Sequence, residues 1–181
     1  EQAMKLLLAG AHWSGAAALA TPVLARSGAI LMLHRVTRQD CSPLGLNSHL
    51  SVTPEFLDSL LVDLKRRGFS LLPLDELLES LGRGHPVRAV AITADDGWRD
   101  NLTEALPVFE AHDAPFTVYV APGLTGGEVA PWWEAVEELV TAREEVRLPA
   151  ADGPVVLTCA DPAAKRAAAS RLMRWLTQEV A

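Results

Sequence analysis

The sequence is poor in cysteine, in clustered basic residues and in long apolar runs, and each scarcity removes a class of function. Its two cysteines, Cys41 and Cys159, lie in unrelated contexts without metal-type spacing. Neither a disulfide framework nor a cysteine zinc site is indicated, and both residues read as ordinary thiols. Lys and Arg number 16 against 23 Asp and Glu, a net charge of −7, and no basic cluster stands out. Nucleic acid is not the expected partner, nor is an anionic membrane surface. No apolar run is long enough to span a bilayer, so no transmembrane segment is expected. Internal repeats and low-complexity tracts are also lacking, apart from an alanine enrichment that suits helices.

What is present fits a globular domain: 181 residues, 49% of them hydrophobic and 22% charged, enough to bury one sizeable core. Residues 1–26 form a segment of their own. Met4-Lys5 followed by Leu6 to Leu8, with Val23-Leu24-Ala25 further on, loosely imitates a secretory leader. His12, Trp13, Ser14 and Gly15 interrupt the apolar part, so the segment reads as an amphipathic helix from about Gln2 to Leu19 packed on the domain. That reading favours a cytoplasmic location over secretion.

The chain is organised around Val87 to Asn101, where the apolar run Ala89 to Ile92 ends in Asp95, Asp96 and Gly97. The run reads as a buried strand of an α/β sheet, and ligands collect outside the carboxyl ends of such strands. Two adjacent anions repel, so the pair calls for a cation, a shared proton or strong donors. The plainer alternative is that one Asp caps the next helix while the other is solvated.

Other elements alternate around this stretch. Gly28 to Leu33 reads as the first strand, and a polar loop runs from Thr37 to Ser51. Thr53 and Pro54 open a helix with Phe56, Leu57, Leu60, Leu61 and Leu64 inward, stopped at Gly68. Ser70 to Leu72 predicts a short strand. Asp75 predicts the cap of a helix to Leu81 with Leu74, Leu77, Leu78 and Leu81 inward. Asn101 with Glu104 resembles a capping box. Phe116 to Val120 predicts a further strand, opening into a glycine-rich loop from Pro122 to Gly127. A helix follows from Pro131 to Val140, then a charged, Pro-containing segment from Arg143 to Pro154, then a helix capped by Asp161 that buries Leu172, Met173, Trp175 and Leu176. Alternating strands and helices imply parallel pairing with the helices outside.

Two stretches resemble a known family: Ile30-Leu31-Met32-Leu33-His34-Arg35-Val36, then Val90 to Asn101 containing Thr93-Ala94-Asp95-Asp96-Gly97. In this order they are similar to the polysaccharide deacetylases, the fourth family of carbohydrate esterases, which share a nodulation-type deacetylase domain. Ala114 to Val120 resembles that family's next strand, and Trp132-Trp133 a subgroup's insertion. The resemblance implies an α/β fold, part of a (β/α) barrel with parallel strands and outer helices, over residues 27–181 and incomplete at the carboxyl end. It implies a metal-dependent hydrolase that removes N-acetyl groups from an N-acetylated polysaccharide or oligosaccharide. By position, Asp95 matches the general base and Asp96 a ligand of a divalent metal, most often zinc. Such an ion lowers the pKa of its bound water and polarises the amide carbonyl.

Two departures accompany the resemblance. Ala94 stands where the family usually has an aromatic residue, which removes bulk beside the Asp pair. None of His12, His34, His49, His85 and His112 has the second histidine of the family's His-x-x-x-His ligand pair, and the family's later Arg and His motifs are missing too. One carboxylate is a poor zinc site, so the chain alone is expected to be inactive, with an unpaired sheet edge open to self-association.

Further candidates are weighed individually. His34 ends the first strand, either as a pocket residue or as a structural hydrogen-bonding group. Trp98 either lines a sugar subsite or simply packs, and Arg35 and Arg99 are expected to form surface ion pairs with Asp95 or Asp100. Trp132 and Trp133 read as core or lid. Competing classes are a non-catalytic relative that binds a glycan or partner through a vestigial site, and a magnesium-dependent phosphoryl-transfer or receiver domain. The latter needs a further acid or lysine at another strand end, which Phe116 to Ala121 does not supply.

Overall fold

The structure, a computed structural model, describes residues 27–39, 41–84, 87–149 and 153–178. The helix expected in residues 1–26 lies outside the described residues, as does His85.

Strand β1 (Ser27–Leu33) pairs in parallel with β5 (Val87–Ala94), Leu31 opposite Ile92 and Leu33 opposite Ala94. Along the other edge of β5 lie β4 (Ser70–Leu71), opposite Ala89 and Val90, and then β6 (Thr117–Val118), opposite Thr93 and Ala94. All four strands run parallel, and β5 is central. Because side chains alternate along a strand, the two faces of β5 have different neighbours. Val90 and Ile92 enter a core with Leu57 and Leu61 of α1 (Pro54–Arg66) and Phe109 of α3 (Leu106–Ala111). Phe109 stacks on Phe116, ring centroids 4.1 Å apart. Ala89 and Ala91 face the other way, against Leu77 of α2 (Leu74–Gly82). The expected α/β architecture of parallel strands and outer helices is present.

Gly28 makes the α2 contact possible. It sits at φ +65°, and a Cβ there would lie 2.9 Å from Leu77 Cδ1. Gly28→Ala is expected to destabilise the fold by about 1–3 kcal/mol, through the strained φ and the clash together, measurable as a lowered urea midpoint at unchanged slope. Further along β1 the same face carries Ile30 and Met32, 48% and 60% exposed, and one edge of the strand is unpaired among the described residues.

The helix α1 starts as expected, Thr53 Oγ1 accepting from Phe56 N at 3.2 Å with Pro54 in the first turn. Its inward face is narrower than the sequence suggested. Leu57 and Leu61 are buried, whereas Phe56 is 55% exposed, one position off the stripe that meets the sheet. Leu78 of α2 is likewise 51% exposed, because the small Ala89–Ala91 surface admits only one row of leucines. Helix α2 begins at Leu74 after Pro73, so Asp75 sits inside the first turn rather than capping it. The strands expected over 70–72 and 116–120 form regular pairs only at two residues each.

Three other expectations are corrected. Asn101 does not cap a helix: Asn101–Ala105 is a π-helical turn leading into α3, and Glu104 turns to Thr37 and Arg38 instead of back to Asn101. The glycine-rich loop begins with a helical turn, α4 (Pro122–Thr125). Arg143 to Pro154 is not simply a loop, since β7 (Glu145–Leu148) pairs antiparallel with β8 (Val155–Thr158). The polar stretch 37–51 also ends in a small parallel pair, β2 (Arg35–Val36) with β3 (Ser51–Val52).

The hairpin packs with α5 (Trp132–Ala142) and α6 (Pro162–Gln178) around Val136, Val140, Val146, Leu148 and Leu172. Asp161 caps α6 as expected, its Oδ1 accepting from Ala163 N and Ala164 N at 2.8 and 2.9 Å. Cys159 is buried here and Cys41 half-buried, both free thiols. Burial pushes the Cys159 thiol's pKa up, with the nearby Lys165 opposing it.

Candidate active site

The Asp pair is held between two strand ends. Asp95 N donates to Leu33 O of β1 at 2.9 Å, and Tyr119 N, just past β6, donates to Ala94 O at 2.8 Å. The backbone then turns through two left-handed residues, Asp96 at φ +72° and Gly97 at φ +73°. Aspartate tolerates that region better than most residues. At position 97 glycine is required sterically as well, because a Cβ would stand 3.3 Å from Val120 Cγ1 and 3.4 Å from Val120 Cα. Ala94 is buried, and by the alternation of side chains along β5 it shares a face with Val90 and Ile92.

Two recesses meet at this turn. One, of about 480 Å³, is lined by Asp95 and Asp96 with Thr93, Met32, Ile30 and Tyr119. The other, of about 470 Å³, is lined by Asp96, Trp98, Arg99, Leu102, Leu124 and Pro131. Asp96 borders both and Asp95 only the first. The structure thus brings Asp95, Asp96, Trp98 and Arg99 together. His34 is half-buried between β1 and β2, next to the residue that hydrogen-bonds Asp95, and neither recess includes it.

Behind the turn lies a network of which the sequence suggested only the pairing of Arg35 with Asp100. Trp98 Nε1 donates to Asp96 Oδ2 at 3.1 Å. The Arg35 guanidinium carbon sits 4.4 Å from the centre of the Trp98 ring. Arg35 in turn donates through Nε to Asp100 Oδ2 at 2.9 Å and through a terminal nitrogen to Glu134 Oε1 of α5 at 3.3 Å. Asp100 Oδ1 accepts from Val36 N at 3.3 Å. The surface ion pair expected of Arg35 is instead a partly buried one, with side-chain exposures of 18% and 11% for Arg35 and Asp100. Burial works against the charge on Arg35, yet the hydrogen bond and charge of Asp100, aided by Cys41 and Glu134, hold its pKa above the ordinary value. Asn101 is also buried, and neither atom of its side-chain amide is hydrogen-bonded among the described residues. The mixed stretch Asn101-Leu102-Thr103-Glu104 gave no sign that Asn101 faces inward.

Catalytic zinc uses three protein ligands and an open position. Among the described residues no group of three or more His, Cys, Asp or Glu side chains is placed to hold a metal ion. Asp95 and Asp96 supply two carboxylates, so these residues do not make up a complete metal site. Among them, too, no helix is long and apolar enough to cross a membrane.

Residues 82–153 match the family model of the polysaccharide deacetylases. That stretch contains β5, the Asp pair, Trp98 and the second recess, and it agrees with the resemblance read at Val90 to Asn101, whereas Ile30 to Val36 lies outside it. No match is found among curated proteins. Similar solved structures include the deacetylase PplD of Streptococcus pyogenes, in complex with acetate: 31% identity over 56% of this chain and 45% of that one, TM-score 0.47. IcaB from Ammonifex degensii shares 23% identity over 65% of this chain and 49% of that one, TM-score 0.48. A de-N-acetylase from Aggregatibacter actinomycetemcomitans shares 15% identity over 74% of this chain and 45% of that one, TM-score 0.43. The chain spans less than half the length of each of these three structures.

Proposed function

We propose that residues 27–181 form the N-terminal part of a polysaccharide deacetylase domain, and that the whole protein removes N-acetyl groups from an N-acetylated glycan by metal-dependent hydrolysis. The observation that carries this reading is the Asp95–Asp96 pair at the carboxyl end of the central parallel strand, within the stretch that matches the family. In the reaction a water oxygen adds to the acetamide carbonyl and loses a proton, and the C–N bond then breaks to give acetate and a free amine. Asp95, open to the first recess, is the residue that accepts the water proton. Asp96 is the metal ligand assigned among the described residues. A divalent ion, zinc by the family resemblance, would supply a more acidic water and a polarised carbonyl. Its remaining ligands would come from outside residues 27–181. Trp98 and Arg99 edge the second recess, where a sugar ring would meet an indole and a cation. His34, which lines neither recess, is given no catalytic role in this reading. On this reading further strands of the longer protein cover the β1 edge and the exposed Ile30 and Met32, and the 181-residue chain alone is inactive.

The test is a calorimetric titration with Zn²⁺ of the 181-residue chain, of the protein extended through its downstream coding sequence, and of Asp96→Asn in the extended form. Binding at one site per chain is expected only in the extended form, weakened at least about tenfold by the substitution, as for a lost direct ligand. Equal binding with and without Asp96 would overturn the metal assignment and leave a glycan-binding relative as the better account.

A further inference from the structure

We infer that Trp98, clamped by Arg35, is a positioning residue that fixes the Asp96 carboxylate at the junction of the two recesses. Asp96 borders both depressions, and the left-handed backbone at its Cα sets where the side chain starts but not how the carboxylate turns. The indole N–H supplies that second constraint, committing Oδ2 at 3.1 Å. Among the described residues Oδ1 has no protein hydrogen bond, so one oxygen is held while the other is left to a ligand. A hydrogen bond orients its acceptor only if the donor itself is fixed. Trp98 sits on the turn just past two left-handed residues, and the ring is held by the guanidinium 4.4 Å from its centre. A planar guanidinium stacks on an indole and still has N–H groups free at its edge. Arg35 uses those groups on Asp100 and Glu134, so β2, the turn and α5 all bear on the orientation of one carboxylate. Lysine carries the same charge but has neither the plane nor the fork.

The inference rests on the deacetylase reading only for the reaction that Asp96 serves; the positioning itself is a property of the chain. Its test is the indole ¹⁵N–¹H resonance of Trp98 in the labelled 181-residue chain, assigned among the five tryptophans by its loss in Trp98→Phe. Solvent exchange of that proton is expected to quicken roughly tenfold or more in Asp96→Asn and in Arg35→Lys, the loss expected of a hydrogen bond to a charged acceptor. It is expected to stay unchanged in Asp95→Asn. Trp98→Phe keeps an aromatic ring under Arg35 while removing the donor with the pyrrole half of the indole, so it also covers the case in which Arg35→Lys does not fold. In that variant the side-chain carboxyl ¹³C resonance of Asp96 moves while that of Asp95 does not. Unchanged exchange in a folded Arg35→Lys chain, or an unmoved Asp96 resonance in Trp98→Phe, overturns the inference. In the extended protein Trp98→Phe is expected to lower kcat about 10-fold to 100-fold, the usual cost of losing a group that orients a ligand, with any rise in KM reporting the indole's place at the second recess. Lack of turnover by the unsubstituted extended protein would count against the deacetylase reading and leave the resonance test standing.

Discussion

Asp95→Asn in the C-terminally extended protein is expected to reduce acetate release from an N-acetylated oligosaccharide by about 10²-fold to 10⁴-fold, the span that general-base catalysis contributes. Asparagine has nearly the same shape and still fits the wall of the first recess, so substrate binding should persist and the loss should fall on kcat. What disappears is the ability to take a proton from water. The backbone supports a clean comparison. Asp95 N is bonded to Leu33 O and the neighbouring Ala94 O to Tyr119 N, so the position of the side chain is set by main-chain contacts that the substitution does not touch. Asp96→Asn, by contrast, is expected to lose activity together with Zn²⁺ affinity. If Asp95→Asn reduced kcat less than about tenfold while the fold and metal binding were intact, Asp95 would not be the base. Direct measurement of released acetate, with the Zn²⁺ titration alongside, separates the two roles.

The parts of this site that were legible in the sequence are those written as local patterns. A small, apolar run that ends in Asp-Asp-Gly specifies a buried strand, two carboxylates and a backbone that needs glycine, and the structure has Gly97 at φ +73° against Val120. Thr53 and Asp161 were legible as caps because a cap is decided within three or four residues. What was not legible depends on partners far along the chain. Arg35 was legible as a partner for Asp95 or Asp100, but nothing beside it says that the pair with Asp100 is partly buried or that Glu134, 99 residues away, and the Trp98 ring converge on it as well. The hairpin of β7 and β8 was hidden for a different reason. Glu145-Val146-Arg147-Leu148 alternates exposed and buried residues as a half-buried strand should, but its charges and the nearby Pro154 weighed toward a loop. Phe56 shows the reverse error, an apolar residue counted inward that is exposed while Leu57, Leu61 and Leu64 pack on the core.

Glu137→Ala is expected to be the most destabilising single change in the described part of the chain, by about 3–5 kcal/mol, since it strips the acceptor from several buried donors at once. Glu137 is 3% exposed. Its carboxylate accepts from Ser42 Oγ at 2.7 Å, Leu44 N at 2.7 Å and Asn47 Nδ2 at 2.8 Å. Ser42 Oγ also accepts from Asn47 N at 2.8 Å, and Asn47 Nδ2 reaches Trp133 O at 3.1 Å, so the loop is wound around this one acid. Glu137→Gln keeps the volume and one acceptor oxygen but turns an NH₂ toward donors, and about 1–3 kcal/mol is expected. Urea unfolding of the three proteins measures both; a loss below about 1 kcal/mol for the alanine variant would mean that water replaces the carboxylate at little cost. The consequence reaches the active site because Glu134 and Glu137 lie one turn apart on α5 and so share a face. One holds Arg35 behind Trp98, the other holds the loop that follows β2, and each fixes α5 against the strand from which Arg35 projects. Loss of Glu137 should therefore loosen the clamp on Trp98 before the chain unfolds globally, visible as faster indole exchange at urea concentrations where β5 amides remain protected.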